Sequence, residues 1–264
     1  MDLHMENKTA LVSGSTAGIG LAIVKGLVRE GATVYLNGRS QERVDEAIRQ
    51  VLRDQPRAKI HGIAADLGTS EGAAILVRSL TSVDVLINNL GIFEPKQFEK
   101  ITDEEWQHFF EVNVLSGVRL SRQYLPGMRE RGWGRIVFIS SESALQIPVE
   151  MIHYGMTKTA QLAVARGLAE SVRGTNITVN SVLPGPTRSE GVERFLKGMA
   201  NHQSKSEDRI EKEFFQSTRP SSLIARFAST EEVANLVVYV SSELSSATNG
   251  AAMRVDGGVV RSIV

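Results

Sequence analysis

Tyr154 and Lys158 stand four residues apart in a run that suits a helix through position 168, so their side chains share one helical face. A phenol ionises near pH 10, and bringing it to neutrality takes about 4 kcal/mol of preferential stabilisation of the phenolate. An ammonium beside it in a dry site, joined by a second cation, supplies stabilisation of that kind, and the pair is a candidate acid/base. Thirteen residues upstream, Ser141 follows an apolar run (135–140) and offers a hydroxyl where a strand would end. Asn113 lies among Trp106, Phe109, Phe110, Val114, Leu115, Val118, Leu120 and Leu125, the apolar positions of a long helical pattern over 103–131. Asparagine is a poor helix former there. Its amide needs either a bond back to its own helix or a partner from outside. Taken alone, a Tyr-x-x-x-Lys pair fits a solvent-facing helix as well, so its meaning depends on its company.

A second group of residues is suited to hold an anion. The stretch 10–20, Ala-Leu-Val-Ser-Gly-Ser-Thr-Ala-Gly-Ile-Gly, carries Gly14, Gly18 and Gly20 between an apolar strand-like run and an apolar helix-like one. Glycine lets backbone approach a ligand closely, and the free N–H groups of a helix start favour negative charge. The spacing is G-x-x-x-G-x-G, which departs from the commonest dinucleotide fingerprint. A strand expected over 31–37 completes a βαβ unit. An acid near its end would accept the ribose 2′-hydroxyl of NAD, whereas an arginine accommodates the 2′-phosphate of NADP. Asn37, Gly38, Arg39 and Ser40 stand there, with no acid, and Arg39 offers a planar donor fork. NADP(H) is therefore the preferred cofactor, with NAD(H) as an alternative.

Stepping along the remaining elements, a third strand is expected over 58–64, running into Asp66 and Leu67. The Asp66 carboxylate either reaches an adenine amino group or caps the helix that begins near Thr69. A fourth strand over 83–87 is nearly continuous in apolar character, as in a parallel sheet covered on both faces, and ends in Asn88-Asn89-Leu90-Gly91. The two amides need partners from a ligand or from neighbouring backbone. Strand exits at the carboxyl edge of such a sheet are where ligands bind, which places Ser141, Asn89 and the glycine stretch on one rim.

Composition narrows the partners. Lys plus Arg equals Asp plus Glu at 30 each, so no overall field draws in nucleic acid or a membrane surface, and a small-molecule partner is expected. With no cysteine and five histidines lacking ligand spacing, no metal site is expected. The polar first eight residues and the lack of an 18-residue apolar run lead to an expectation of a soluble, cytoplasmic protein. At 264 residues the chain suits one large α/β domain.

Taken in order, the glycine turn, Asn-Asn-x-Gly, the asparagine in its helix, the strand-end serine and Tyr-x-x-x-Lys resemble the short-chain dehydrogenase/reductase (SDR) family over essentially the whole chain. Residues 177–185, with Pro184-Gly185, resemble the family's sixth strand and its turn beside the nicotinamide, and 249–258 resemble its seventh strand. The resemblance implies a single-domain α/β fold, a Rossmann-like doubly wound seven-stranded parallel sheet, over residues 1–264. It implies a tetrad of Asn113, Ser141, Tyr154 and Lys158. Tyr is the general acid/base, Ser holds the carbonyl oxygen, Lys lowers the tyrosine pKa and grips the nicotinamide ribose, and Asn positions a relay water. Gly14, Ser15, Thr16, Gly18, Ile19 and Gly20 would line the pyrophosphate and adenosine side, Asp66 and Leu67 the adenine, Asn89 and Gly91 the adjoining ribose. Pro184, Gly185, Thr187 and Ser189 would meet the nicotinamide. A homotetramer built on the helices around Asn113 and after Tyr154 is expected.

Ser13, Leu90 and Ser189 depart from the family's usual Thr, Ala and Thr; the serines keep a hydroxyl, while the bulk of Leu90 bears on the cofactor edge. Residues 188–227 show no regular apolar period and many charges. They are expected to form a mobile, partly helical substrate loop that closes over the nicotinamide, with apolar anchors at Phe195, Leu196, Phe214, Phe215, Leu223 and Ile224. The implied activity is an NADP-preferring oxidoreductase passing a hydride between nicotinamide and a carbonyl or secondary alcohol. A 3-oxoacyl-carrier-protein reductase-like activity, a sugar-acid oxidoreductase and a catalytically silent nucleotide-binding sensor are the readings left open.

Overall fold

Short apolar runs alternating with amphipathic ones leave the strands little choice but to lie side by side with helices on both faces. A computed structural model of the chain describes residues 2–263, apart from the side chains of Phe195 and Asn201. The strands β1 (Thr9–Val12), β2 (Thr33–Gly38), β3 (Ile60–Ala64), β4 (Val85–Asn88), β5 (Gly134–Ile139), β6 (Ile177–Pro184) and β7 (Ala252–Val255) form one parallel sheet in the order β3-β2-β1-β4-β5-β6-β7. The helices are α1 (Gly18–Arg29), α2 (Gln41–Asp54), α3 (Ser70–Ser79), α4 (Asp103–Phe110), α5 (Ser116–Arg131), α6 (Ile152–Ser171), α7 (Glu190–Gln203), α8 (Glu207–Ser217) and α9 (Thr230–Val240). The chain is a single doubly wound α/β domain, as its motifs imply. Order reverses between β1 and β4, which opens a crevice at their carboxyl ends.

Side-chain alternation along the strands feeds two cores. Val12, Leu36, Ile87, Ile139 and Val182 pack with α1, α2 and α9 on one face, while Leu11, Leu86, Phe138 and Val179 pack with α3, α5 and α6 on the other. Leu90 joins the second core. Its bulk is accommodated in apolar packing against Gly14.

Two expectations need correction, and of the two readings of Asp66 the helix cap is excluded. The helix expected over 103–131 is broken by a π-helical turn, Glu111–Leu115, and Asn113 sits in it. Thr69 caps α3, its hydroxyl accepting from Gly72 N–H at 3.0 Å; Asp66 instead accepts from Gly68 N–H at 3.0 Å and remains exposed. The segment 188–227 carries a helical apolar period after all. Leu196 and Ala200 of α7, Ile210 and Phe215 of α8, and Phe227 make a third, separate core, with Val192, Met199 and Phe214 against it. Of the expected anchors, Leu196, Phe214 and Phe215 serve this core, Leu223 is 85% exposed, and the Phe195 side chain lies outside the described residues.

Candidate active site

The glycine turn is held rigid by hydroxyls and amides that face inward. Ser13 Oγ accepts from the N–H groups of Asn89 at 2.9 Å and Leu90 at 3.1 Å, and Asn89 Nδ2 donates back to the Ser13 and Gly14 carbonyls. Asn37, at the end of β2, receives Gly14 N–H on Oδ1 and donates to the Ile63 and Ala65 carbonyls, tying the turn to β3. Ser15 belongs to this brace: its buried hydroxyl donates to the Val12 carbonyl at 2.7 Å and accepts from Asn37 N–H, so it is committed to the turn and turned away from the crevice. Leu67 is likewise committed, 1% exposed in the second core.

Beyond the brace, the backbone fits an anion. Gly14 and Gly18 both have φ of +58°, a conformation costly to any residue with a Cβ. Ala17, at the start of α1, provides no side-chain cap, the first turn carries no acid, and the N–H groups of Gly18, Ile19 and Gly20 form no hydrogen bond among the described residues. Thr16 packs on Gly38, where a Cβ would lie 2.4 Å from Thr16 Cγ2. Arg39 follows, exposed and without a hydrogen bond or ion pair among the described residues. Unpaired donors at a helix start and an unpaired guanidinium are what a phosphorylated dinucleotide requires.

The crevice opens into a cavity of about 450 Å³ lined by Ile19, Asn89, Gly91, Ser141, Tyr154, Lys158, Pro184, Gly185, Thr187 and Ser189, among others. Thr187 is buried, its hydroxyl donating to the Gly185 carbonyl at 2.9 Å, and Ser189 Oγ accepts from Val192 N–H at 3.4 Å near the start of α7. Asn113 reaches the floor through its amide: Oδ1 accepts from Ile92 N–H at 2.8 Å, and Nδ2 donates to the Ile92 carbonyl and to Thr157 Oγ1, each at 3.0 Å. The Asn113 carbonyl accepts from Gln161 Nε2 at 2.6 Å. Lys158 Nζ donates to the Ile139 carbonyl at 3.0 Å and lies 3.4 Å from Gln161 Oε1. Asn113, Gln161 and Lys158 therefore form one network beside Gly91.

At Tyr154 the protein by itself does not lower the phenol pKa, for which the sequence reading joins a second cation to Lys158. Burial and the neighbouring Glu142 carboxylate push the Tyr154 phenol above its ordinary pKa, while the nearby Ser141 hydroxyl and the charge of Arg219 pull the other way and lose. The Lys158 ammonium, 5.6 Å from the Tyr154 ring centroid and engaged with backbone, does not offset this. Its own pKa is lowered to about 8 by burial. The protein alone thus holds Tyr154 as the protonated phenol, a proton donor. His153, next in sequence, packs its ring 4.0 Å from Phe109 and leaves Nδ1 unpartnered; burial lowers its pKa. No group of metal-ligating side chains occurs among the described residues.

Sequence reading missed Glu142, Glu150 and Arg219, which line the cavity beside Ser141. Position next to Ser141 was the available signal for Glu142. Arg219 meets it across 77 residues of chain, and no local pattern encodes that contact.

Comparison with known proteins agrees with this geometry. Residues 8–199 match the family described as short chain dehydrogenase. The chain is 49% identical over 263 residues, with full coverage of both, to the uncharacterized oxidoreductase YvaG of Bacillus subtilis. It is 30% identical to the 3-oxoacyl-(acyl-carrier-protein) reductase FabG of Aquifex aeolicus, over 98% of this chain and 100% of the other. The fold superposes with a TM-score of 0.94, at 32% identity and full coverage of both chains, on L-sorbose reductase from Gluconobacter frateurii, whose crystal structure holds NADPH and L-sorbose.

Proposed function

We propose, from the premise that this chain belongs to the short-chain dehydrogenase family and is an NAD(P)-dependent oxidoreductase, that it is an NADPH-preferring reductase of ketones, with Tyr154 as the proton donor. The observation that carries the reading is the cavity wall on which Ser141, Tyr154 and Lys158 meet beside the unpaired helix start of α1. A bound nicotinamide supplies a hydride. Ser141 then orients the carbonyl oxygen, Tyr154 delivers a proton to it, and Lys158, through Gln161 and Asn113, sets the ribose side of the site. Holding Tyr154 protonated suits the reductive direction, since a phenol is ready to give the proton that reduction consumes. NADPH complexes of the sorbose reductase support the cofactor reading. The acyl-carrier-protein reductase and the sorbose reductase support ketone substrates of two sizes, the first a 3-oxoacyl group on its carrier protein and the second L-sorbose. We extend the reading to a homotetramer.

Arg39 carries the preference for NADPH over NADH, and its substitution tests it. A charge-assisted contact to the 2′-phosphate is worth about 1.5 to 3 kcal/mol, so Arg39→Ala is expected to weaken NADPH binding roughly 10- to 150-fold and NADH binding little. Titration of both cofactors against parent and variant decides it. An equal loss for both, or a parent that already prefers NADH, would contradict the reading.

A further inference from the structure

Three charged side chains in the cavity wall, Glu142, Glu150 and Arg219, neither give nor take the transferred proton. Glu142 and Arg219 are nearly buried, their side chains 7% and 11% exposed, and Glu150 is 38% exposed. Arg219 Nε donates to Glu142 Oε1 at 3.3 Å, and Nη1 donates to Glu150 Oε1 at 3.1 Å and to the Thr218 carbonyl at 2.9 Å. Ser141 Oγ donates to Glu142 Oε2. On this side of the cavity two carboxylates face one guanidinium, and the other cation of the lining, Lys158, is engaged with the Ile139 carbonyl. An anionic substrate group meets repulsion there and finds the arginine already engaged. Arg219 Nη2 and Glu150 Oε2 form no hydrogen bond among the described residues, which leaves donors next to an acceptor, the pairing a hydroxyl satisfies.

Ser141 has one hydroxyl hydrogen, and it lies on Glu142. To hold a carbonyl oxygen, Ser141 must turn that hydrogen away, which strips a donor from a carboxylate with almost no access to water. A hydroxyl on the carbon next to the carbonyl resolves this. It donates to Glu142 Oε2 in place of Ser141, and Ser141 donates to the carbonyl oxygen, so the number of hydrogen bonds is kept. A ketone without that hydroxyl leaves Glu142 Oε2 without its donor, with only Oε1 still held by Arg219.

We infer that the substrate is an uncharged α-hydroxyketone, selected by Glu142 through the hydroxyl beside the reacting carbonyl, with Arg219 and Glu150 receiving the next hydroxyl. This rests on the reductase reading of the same site. The carbonyl carbon gains the hydride and the oxygen gains the Tyr154 proton, so the product is a vicinal diol, the oxidised nicotinamide leaves, and Tyr154 is reprotonated from solvent.

The test compares kcat/KM, at saturating NADPH, for 1-hydroxybutan-2-one, 1-methoxybutan-2-one and 2-oxobutanoate. The methoxy compound keeps the electron-withdrawing oxygen and loses only the donor. The parent is expected to prefer the hydroxyketone over both others by about 10²-fold or more. In Glu142→Gln the guanidinium of Arg219 holds the amide oxygen and turns the NH₂ group toward Ser141, replacing acceptor by donor. The preference is then expected to fall below about threefold. A variant that is merely damaged loses all three substrates alike and keeps the ratio, so retention of the parent ratio would overturn the inference. Equal use of hydroxy and methoxy ketones by the parent, or preference for the oxo acid, overturns it while the reductase reading stands. No NADPH consumption with any of these or with unsubstituted ketones overturns that reading and the inference together.

Discussion

At the scale of single residues, Lys158 carries its charge at 4% exposure, and its hydrogen-bond partners among the described residues are the Ile139 carbonyl and the Gln161 amide oxygen. Burial lowers its pKa to about 8 from 10.5. The unfolded chain therefore binds the proton more tightly, and the buried charge penalises the fold in full below pH 8, with the penalty fading as pH rises toward 10.5. Lys158→Met removes the charge and keeps the stem. The stability of the variant relative to the parent, from urea unfolding, is expected to drop by about 2 kcal/mol between pH 7 and pH 9.5, as the parent recovers. A difference independent of pH would mean that Lys158 is not desolvated as described. Residue types that do chemistry were legible in the sequence where they fall in a fixed spacing, as Tyr154, Lys158 and Ser141 do. Ser15 and Leu67 show the converse: proximity to a motif says nothing of whether a side chain faces the ligand or the core. In both cases inward hydrogen bonding or packing took the side chain.

Elements set the site through their ends and their irregularities. Strand ends were legible to within two or three residues, because β-branched runs stop at glycine and asparagine. The π-helical turn at Glu111–Leu115 was not, since Asn113 is disfavoured in any helix and no local signal separates an α-turn from a wider one. Partial helix is expected over 188–227, but the apolar period and bounds of α7 and α8 were obscured by their charges. Arg188, just before α7, pairs with Glu211 of α8, Lys205, between the helices, pairs with Glu213, and Arg209 pairs with Glu213 within α8, so much of the charge density that suggested a loose loop is used in ion pairs around α8. This pair has its own core, and its two ends meet where Thr187 bridges Ala228. A small unit with separate packing and adjacent ends suits movement as one body over the cavity, which Met199, Phe214 and Arg219 already line. Hydrogen exchange over 188–227 is expected to slow when NADPH and a ketone are both present. Strong protection already in the free protein, unchanged by ligands, would mark the unit as a fixed wall.

Over the whole molecule, the reversal of strand order between β1 and β4 brings the glycine turn, the Asn89 end of β4 and the Ser141 exit of β5 to one rim, and the central fold was legible because each of these follows an apolar strand. Small residues on α6 support the proposed tetramer: Ala163 is exposed and Leu162 half-buried, beside the inward Ala165 and Ala169. Light scattering at micromolar concentration is expected to give a mass near four times the 28.8 kDa of the chain. A monomer there would remove the assembly without touching the chemistry. The chemistry itself turns on one oxygen atom. Tyr154→Phe deletes the hydroxyl that the cavity holds beside Ser141 and keeps the ring that packs near Phe93. The decisive measurement is NADPH consumption with a reducible ketone by parent and variant, with NADPH binding titrated alongside. Expected are unchanged cofactor binding and a turnover lower by about 10² to 10⁴-fold; turnover above half the parent rate would contradict Tyr154 as the proton donor.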